Sequence, residues 1–462
     1  MNKSYYALTP AQGVCYLQCK YSLFKRVINI LSSIAFNEEI DFDLMNQAYK
    51  LLVQRNDCLR LKFFKKKGQL HQYFDDYTEP KDVKVLSFDT EEKQANFVDK
   101  VRKSPIKYLN GVVIEPYFIK TFDNRSMVFF KVCHLALDIY GINVLYRDLI
   151  GIYNALKNGT ELPTAPASFE EVVKKDLEKT SNQDMTEKHR EFFTNLLTDN
   201  PEPFYTGIHG PNNKIWKKQQ AKHHRGMQMF LFNNDTQTYL HKIDKETVEK
   251  VLEYSHSAQC SPSNLLFFAS TLTLAKLNGN VRNMMPLGLY NCRVTALEKN
   301  CAGDKAQSAP CYTKINYSLP FEENLKNFEL DQMKIYRHIR FPDTEFEILK
   351  SNIYRSSPLE IYYSIAYSLI PFDIPDGVEF NMYTNGKGAL PAYIVQFLNS
   401  NTMEIDMAYD VQTKIISEKD VGVYHSLYLN VLKQILENPQ VKVSDIALYP
   451  TVADTDVDYL HQ

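Results

Sequence analysis

Residues Lys131 to Gly141, KVCHLALDIYG, set one histidine four residues ahead of one aspartate. Imidazole changes protonation near neutral pH, so His134 held beside the Asp138 carboxylate suits proton transfer. The same spacing suits a structural contact, and spacing alone leaves both readings open. Cys133 adds a nucleophile by type. Adjacent residues of an extended strand point to opposite faces, however, so Cys133 and His134 make a poor catalytic dyad. Other chemistries lack their motifs: the chain has no G-x-S-x-G, no G-x-x-x-x-G-K-[ST], no G-x-G-x-x-G and no H-E-x-x-H. The side chains of His223-His224 diverge, and none of the eight cysteines forms a C-x-x-C pair, so no metal site is expected. Asn385 to Gly388 (NGKG) has a Gly-Lys step without the P-loop frame and reads as a hairpin tip.

The elements that must position these residues show in the hydrophobic pattern. Met127 to Val132 (MVFFKV) is a short apolar run, as in a buried strand. Ile142, Leu145, Leu149, Ile152 and Leu156 then follow at helical spacing. The His134–Asp138 stretch therefore falls in the turn between a strand and a helix, where side chains can face a cleft. Upstream, Leu8-Thr9-Pro10-Ala11-Gln12 reads as a helix start with proline in its first turn. Asp41 to Arg55 reads as an amphipathic helix, Leu59 to Phe63 and Gln69 to Phe74 as strands, and KKKG as the turn joining them. Residues 158–168 (NGTELPTAPAS) look like a connection between lobes, 168–197 like one or two charged surface helices, and 199–226 like a basic, turn-rich stretch. A buried helix at 261–277, strands near 284–290 and 361–369 and a helix at 418–436 complete the pattern. Strands and helices alternate in both halves, which predicts an α/β fold with two sandwich-like lobes.

A chain of 462 residues exceeds one ordinary core, so two lobes are expected, 1–165 and 166–462. With 44% apolar residues it can bury them. A net charge of −2 predicts no general attraction to nucleic acid or to an anionic membrane. MNKSYYALTP lacks the apolar core of a signal peptide, and runs such as NLLFFASTLTLAKL are too short to span a bilayer. Together with scattered cysteines, this points to the cytoplasm.

Val132 to Asp138 together with Leu145 to Leu156 (LYRDLIGIYNAL) resembles the condensation domains of nonribosomal peptide synthetases, whose signature is His-His-x-x-x-Asp-Gly followed by such a helix. Leu8 to Gln12 is similar to the opening motif of that family, and Arg55 to Phe63 (RNDCLRLKF) to its Arg-His-x-x-Leu-Arg-Thr-x-Phe. Asn291-Cys292-Arg293 falls at its Asn-Arg floor segment, and Pro371-Phe372 with Phe380 to Tyr383 at its Phe-Asn-Tyr element. The matches keep family order from about residue 5 to residue 450.

The resemblance implies two chloramphenicol-acetyltransferase-like α/β sandwich lobes in a V-shaped pseudo-dimer, the C-terminal lobe carrying connecting helices, the floor segment and a latch-like hairpin. It implies a tunnel between the lobes in which a carrier-bound acyl thioester meets an amine, or less often an alcohol. His134 would take a proton from the acceptor or steady the tetrahedral intermediate, while Asp138 would be structural, paired with Arg293. Asn291 and Asn381 would line the tunnel. No cofactor would be bound; the substrate would ride on the phosphopantetheine arm of an acyl or peptidyl carrier protein acting in trans on a stand-alone enzyme. Cys133 stands where the family has its first histidine and is expected to support the site as a small buried side chain. Ile139 stands where the family has glycine, and a β-branched residue resists the backbone freedom glycine gives. Gly141, two residues on, is expected to supply the turn. The basic stretch Lys214 to Arg225 reads as a solvated loop or as a steering patch for an acidic carrier. The rival readings are a non-catalytic recruiting module and an acyl-coenzyme A-dependent acyltransferase.

Overall fold

Thr9 opens the first helix, α1 (Pro10–Tyr21), with a capping box: its side chain accepts from the Gln12 backbone N–H, and the Gln12 side chain accepts from Thr9 N–H. The computed structural model describes residues 3–180, 183–230, 232–372 and 374–448. After α1 come β1 (Asn29–Phe36), α2 (Phe42–Arg55), the hairpin β2 (Leu61–Lys66) and β3 (Gln69–Phe74), and then β4 (Val85–Ser87) and α3 (Glu91–Lys103). β5 (Ile114–Lys120), β6 (Ser126–Cys133), α4 (Ile139–Asn158) and α5 (Phe169–Thr180) follow. The expected helix at 41–55, the hairpin, the strand at 127–132 and the helix at 142–156 are all present.

β1 and β6 lie at the centre of a five-stranded sheet, flanked by β5 and β4 on one side and by the strand Val378–Tyr383 on the other. Every residue of β1 and of β6 is buried, because both faces of the sheet are covered. Met127 and Phe129 pack with Leu31, Ala35, Ile119 and with Val101 of α3. The alternate residue Phe130 stacks on Tyr146 of α4 at 5.0 Å between ring centroids. A strand covered on two sides loses the polar alternation of a half-exposed one, hence the unbroken apolar run. Each phenylalanine so buried stabilises the fold by roughly 1.5–3 kcal/mol before entropy is counted. Tyr146 also donates its hydroxyl to the Ser32 carbonyl at 2.9 Å, fixing α4 across β1.

The chain separates into two compact units that are discontinuous, unlike the contiguous 1–165 and 166–462 expected. The first holds Met1–Gln183, Asn291–Gln307 and Phe372–Lys387; the second holds Asp184–Tyr290, Ser308–Pro371 and Gly388–Gln462. The second carries all but the end residues Gln307 and Phe372 of a six-stranded sheet ordered Gln307–Pro310, Leu287–Tyr290, Ala366–Phe372, Ala392–Asn399, Glu404–Gln412 and Thr236–Ile243. The helices Pro262–Leu277 and Glu418–Glu437 pack together, with the Tyr424 and Ser270 hydroxyls 2.6 Å apart. The basic stretch after residue 199 contains a short helix, Lys214–Gln220, capped by the Asn213 side chain with Trp216 buried beneath it. NGKG at 385–388 is not a hairpin tip, because the strands on either side, Val378–Tyr383 and Ala392–Asn399, belong to different sheets. Asn385 Nδ2 instead donates to the Val27 and Asn29 carbonyls. Among the described residues no helix is long and apolar enough to cross a membrane.

Candidate active site

β6 ends at Cys133, whose N–H donates to Val113 O, and the next residue, His134, donates its N–H to Ile28 O, both at 2.8 Å. The turn that follows is pinned from three sides. Ala136 N–H returns to Cys133 O, Gln12 Nε2 of α1 donates to Leu135 O, and Asp304 N–H donates to Ala136 O. From Lys131 to Asp138, every residue is buried except His134, whose side chain remains 31% exposed. A fixed backbone thus presents one imidazole.

Asp138 ends the turn and caps α4, its Oδ1 accepting from Gly141 N–H at 2.7 Å. The same carboxylate is gripped by Arg293, with Nη1 to Oδ2 at 2.8 Å and Nη2 to Oδ1 at 3.0 Å. The N–H groups of Lys305 and Ala306 each add a bond to Oδ2 at 2.9 Å. Burial alone would raise the Asp138 pKa; Arg293 and these donors more than offset it and hold the pKa below the ordinary carboxylate value. All five bonds lie within the first unit. Arg293 is positioned in turn by its own segment: it donates to the Asn291 and Gly303 carbonyls, and the Asn291 side chain accepts from Arg293 N–H.

The expected residues separate by role. Asp138 and Arg293 form the pair that was anticipated. Cys133 is fully buried, and burial drives its thiol pKa far up, so it packs rather than reacts. Ile139 is simply the first helical residue of α4, in right-handed backbone that a β-branched side chain adopts without strain. Gly141 does not supply a turn either. It lies inside α4, and a Cβ there would stand 1.8 Å from Ala302 O, so glycine is needed for close approach to the 301–306 segment. Asn291 is exposed and shapes the turn that carries Arg293. Asn381 pairs with Ser33 of β1, whereas the His134 end of the sheet is marked by the Asn29–Cys133 pair, four residues away along β1. At 3.3 Å per residue that is roughly 13 Å, and Asn381 Nδ2 donates to Glu379. The tandem histidines lie elsewhere, His224 Nδ1 being 3.4 Å from Glu360.

Two neighbours of His134 had no signal in the sequence. Cys15, on the inner face of α1, places Sγ 3.2 Å from His134 Nδ1. Asp304 places Oδ1 4.0 Å from the same nitrogen and Oδ2 3.9 Å from Cys15 Sγ. The Asp304 side chain is fully buried and its Oδ1 has no hydrogen-bond partner. Burial first, and then the negative Asp138 alongside, push its pKa well above the usual carboxylate range. Burial likewise lowers the His134 pKa, against weaker opposing pulls from its own backbone and from Asp138.

The profile of the family described as "Condensation domain" matches residues 2–356, and the chain belongs to that family. Condensation domains are acyltransferases that form amide bonds in nonribosomal peptide synthetases. Relatives include surfactin synthase subunit 1 of Bacillus subtilis (strain 168), 21% identical over 97% of this chain and 12% of the relative. Gramicidin S synthase 2 of Aneurinibacillus migulanus is 21% identical over 96% of this chain and 10% of the relative. The chain thus spans only a small part of the length of these relatives. Among solved structures, a variant of the starter condensation domain of rhizomide synthetase in complex with C8-CoA superposes with a TM-score of 0.79 at 14% identity, covering 96% of this chain and 98% of that one. The first condensation domain of the calcium-dependent antibiotic synthetase, bound to a substrate analogue, gives 0.79 at 15% identity over 96% and 99%. The chloramphenicol-acetyltransferase-like α/β fold expected from the sequence is therefore the fold present.

Proposed function

We propose that this chain joins an acyl group, carried as a thioester on the phosphopantetheine arm of a carrier protein, to an amine, with His134 as the catalytic residue. The observation that carries this reading is the one partly exposed imidazole in a turn whose other residues are buried and whose end is locked by Asp138 and Arg293. The amine nitrogen attacks the thioester carbonyl, forming the C–N bond and a tetrahedral intermediate. Collapse breaks the C–S bond, and the thiolate leaves with the proton that the nitrogen loses, giving amide and free thiol. His134 either relays that proton or donates a hydrogen bond to the intermediate oxygen. The thioester is already activated, so alignment supplies much of the remaining acceleration, up to about 7–11 kcal/mol in ideal intramolecular cases.

The test is product formation, followed by mass spectrometry, from an acyl-loaded carrier protein and a panel of amines. Wild type should form amide, and His134→Ala should lose at least tenfold, about 10²–10⁴-fold if the imidazole acts as a general acid–base. Circular dichroism must show the variant folded. Equal rates in the two proteins would refute the role of His134. A carrier protein bound without turnover would favour the recruiting module. A free acyl-coenzyme A donor is the second reading, favoured by the C8-CoA complex of the rhizomide relative; the same assay with acyl-coenzyme A in place of the loaded carrier decides it.

A further inference from the structure

Three donors of different chemistry converge beside the proposed catalytic imidazole. Cys15 comes from α1, His134 from the turn after β6, and Asp304 from the segment braced by Arg293, all within the first unit. We propose that Cys15 Sγ, His134 Nδ1 and the Asp304 carboxylate form a binding site for a single borderline-soft divalent cation of the zinc class.

The distances fit such an ion. Zinc holds thiolate sulfur at about 2.3 Å and imidazole nitrogen or carboxylate oxygen at about 2.0–2.2 Å, so tetrahedral donors lie roughly 3.3–3.6 Å apart. Here sulfur and nitrogen are 3.2 Å apart, the nitrogen is 4.0 Å from one Asp304 oxygen, Oδ1, and the sulfur 3.9 Å from the other, Oδ2, while one donor atom from each of the three residues lies within 4.8 Å of the other two. Closing from these separations to tetrahedral spacing takes a movement of up to about 1 Å, which side-chain rotation of the carboxylate supplies.

The second observation is Asp304 itself. Its Oδ1 is buried with no hydrogen-bond partner, an arrangement that costs free energy unless a donor or a cation meets it. Arg293 is committed to Asp138, and Lys305 to Asp176 and Glu298. A cation seated between Asp304, Cys15 and His134 would satisfy that oxygen.

A mixed sulfur, nitrogen and oxygen set suits zinc over magnesium or calcium, which prefer oxygen alone. The backbone is held for the task by Asp304 N–H to Ala136 O at 3.1 Å and by Gln12 to Leu135 O at 2.9 Å. His134 is the one partly exposed member of the three, its side chain 31% exposed against 0% for Asp304. Occupancy would tie down His134 Nδ1, one nitrogen of the proposed catalytic imidazole; its effect on acyl transfer rests on the proposed function, whereas the binding does not.

The experiment reads binding directly. Chelator-treated full-length protein is dialysed against zinc to obtain stoichiometry and affinity, and titrated with cobalt(II) to look for a thiolate-to-metal charge-transfer band. One ion per chain and a charge-transfer band are expected in wild type. Cys15→Ser should abolish the band, and Asp304→Asn should weaken zinc binding at least tenfold, both checked for folding by circular dichroism. His223→Ala/His224→Ala should change neither. Wild type that shows no charge-transfer band overturns the proposal even if a variant fails to fold. So does zinc uptake that survives Cys15→Ser or disappears in the tandem-histidine variant. Loss of acyl transfer in the assay above would leave these readouts unaffected, so the two proposals fail separately.

Discussion

Removing the guanidinium that grips Asp138 should cost more than any surface substitution in this chain. Arg293 and Asp138 are both almost fully buried, and the carboxylate accepts five hydrogen bonds, two of them from Arg293. Arg293→Met leaves a buried carboxylate with three backbone donors and no counter-charge, a defect that typically costs about 3–5 kcal/mol. Asp138→Asn should cost a similar amount. Its amide keeps one acceptor, and if that replaces Oδ2, the new –NH2 faces the Gly141 and Arg293 donors. Asp138→Leu/Arg293→Met removes both charges, so it should cost clearly less than the sum of the single changes. The lone tryptophan, Trp216, belongs to the second unit, so its fluorescence reads the wrong half of the molecule. Native-state hydrogen exchange on peptides covering 134–150 and 296–307 reads the right one. At about 1.4 kcal/mol per tenfold, exchange of the Gly141, Lys305 and Ala306 amides should accelerate roughly 140- to 4,000-fold, unless global opening sets a lower ceiling. Acceleration under about fivefold in Arg293→Met, or strictly additive single and double variants, would refute the claim that this pair braces the site.

Gly141→Ala reverses the usual helix rule. Alanine normally gains about 1 kcal/mol over glycine inside a helix, but here its Cβ meets the Ala302 carbonyl; an overpacking cost at the upper end of about 1–3 kcal/mol leaves a net loss of about 2 kcal/mol, read by urea unfolding followed by circular dichroism. Glu298 should make stability pH-dependent. Burial opposes its ionisation, but the Thr295 and Val294 N–H groups and the Lys305 ammonium outweigh that and hold its pKa at about 2, against an ordinary 4.5. A lowered carboxylate pKa gives stability that is fully present above pH 4.5 and lost as pH falls toward 2, here at most about 3 kcal/mol. Glu298→Gln should therefore be destabilised at pH 7 and match wild type near pH 2, as read by exchange or denaturant unfolding wherever both remain folded.

Local signals placed most elements, because periodicity and caps are local physics. Thr9-Pro10 with Gln12 marked the start of α1, Asp41 to Arg55 showed an apolar helical face, and the unbroken MVFFKV run showed a strand covered on two sides. The family-ordered motifs were also legible, and with them His134, Asp138 and Arg293. Some local rules misled because the deciding contact was distant. Ile139 raised concern only while its position in the helix was unknown, and Gly141 owes its place to Ala302, 161 residues later in the chain. NGKG carried the composition of a hairpin tip, yet the strands it separates join different sheets. Cys15 and Asp304 are separated by 289 residues and sit in no motif. Only folding brings a helix face, a strand end and a buried segment to one imidazole. The sequence by itself determined the elements and the residue that could do chemistry, because those depend on neighbours a few residues away. Tertiary structure decided what surrounds that residue, because burial, charge pairing and donor geometry are set by segments hundreds of residues apart.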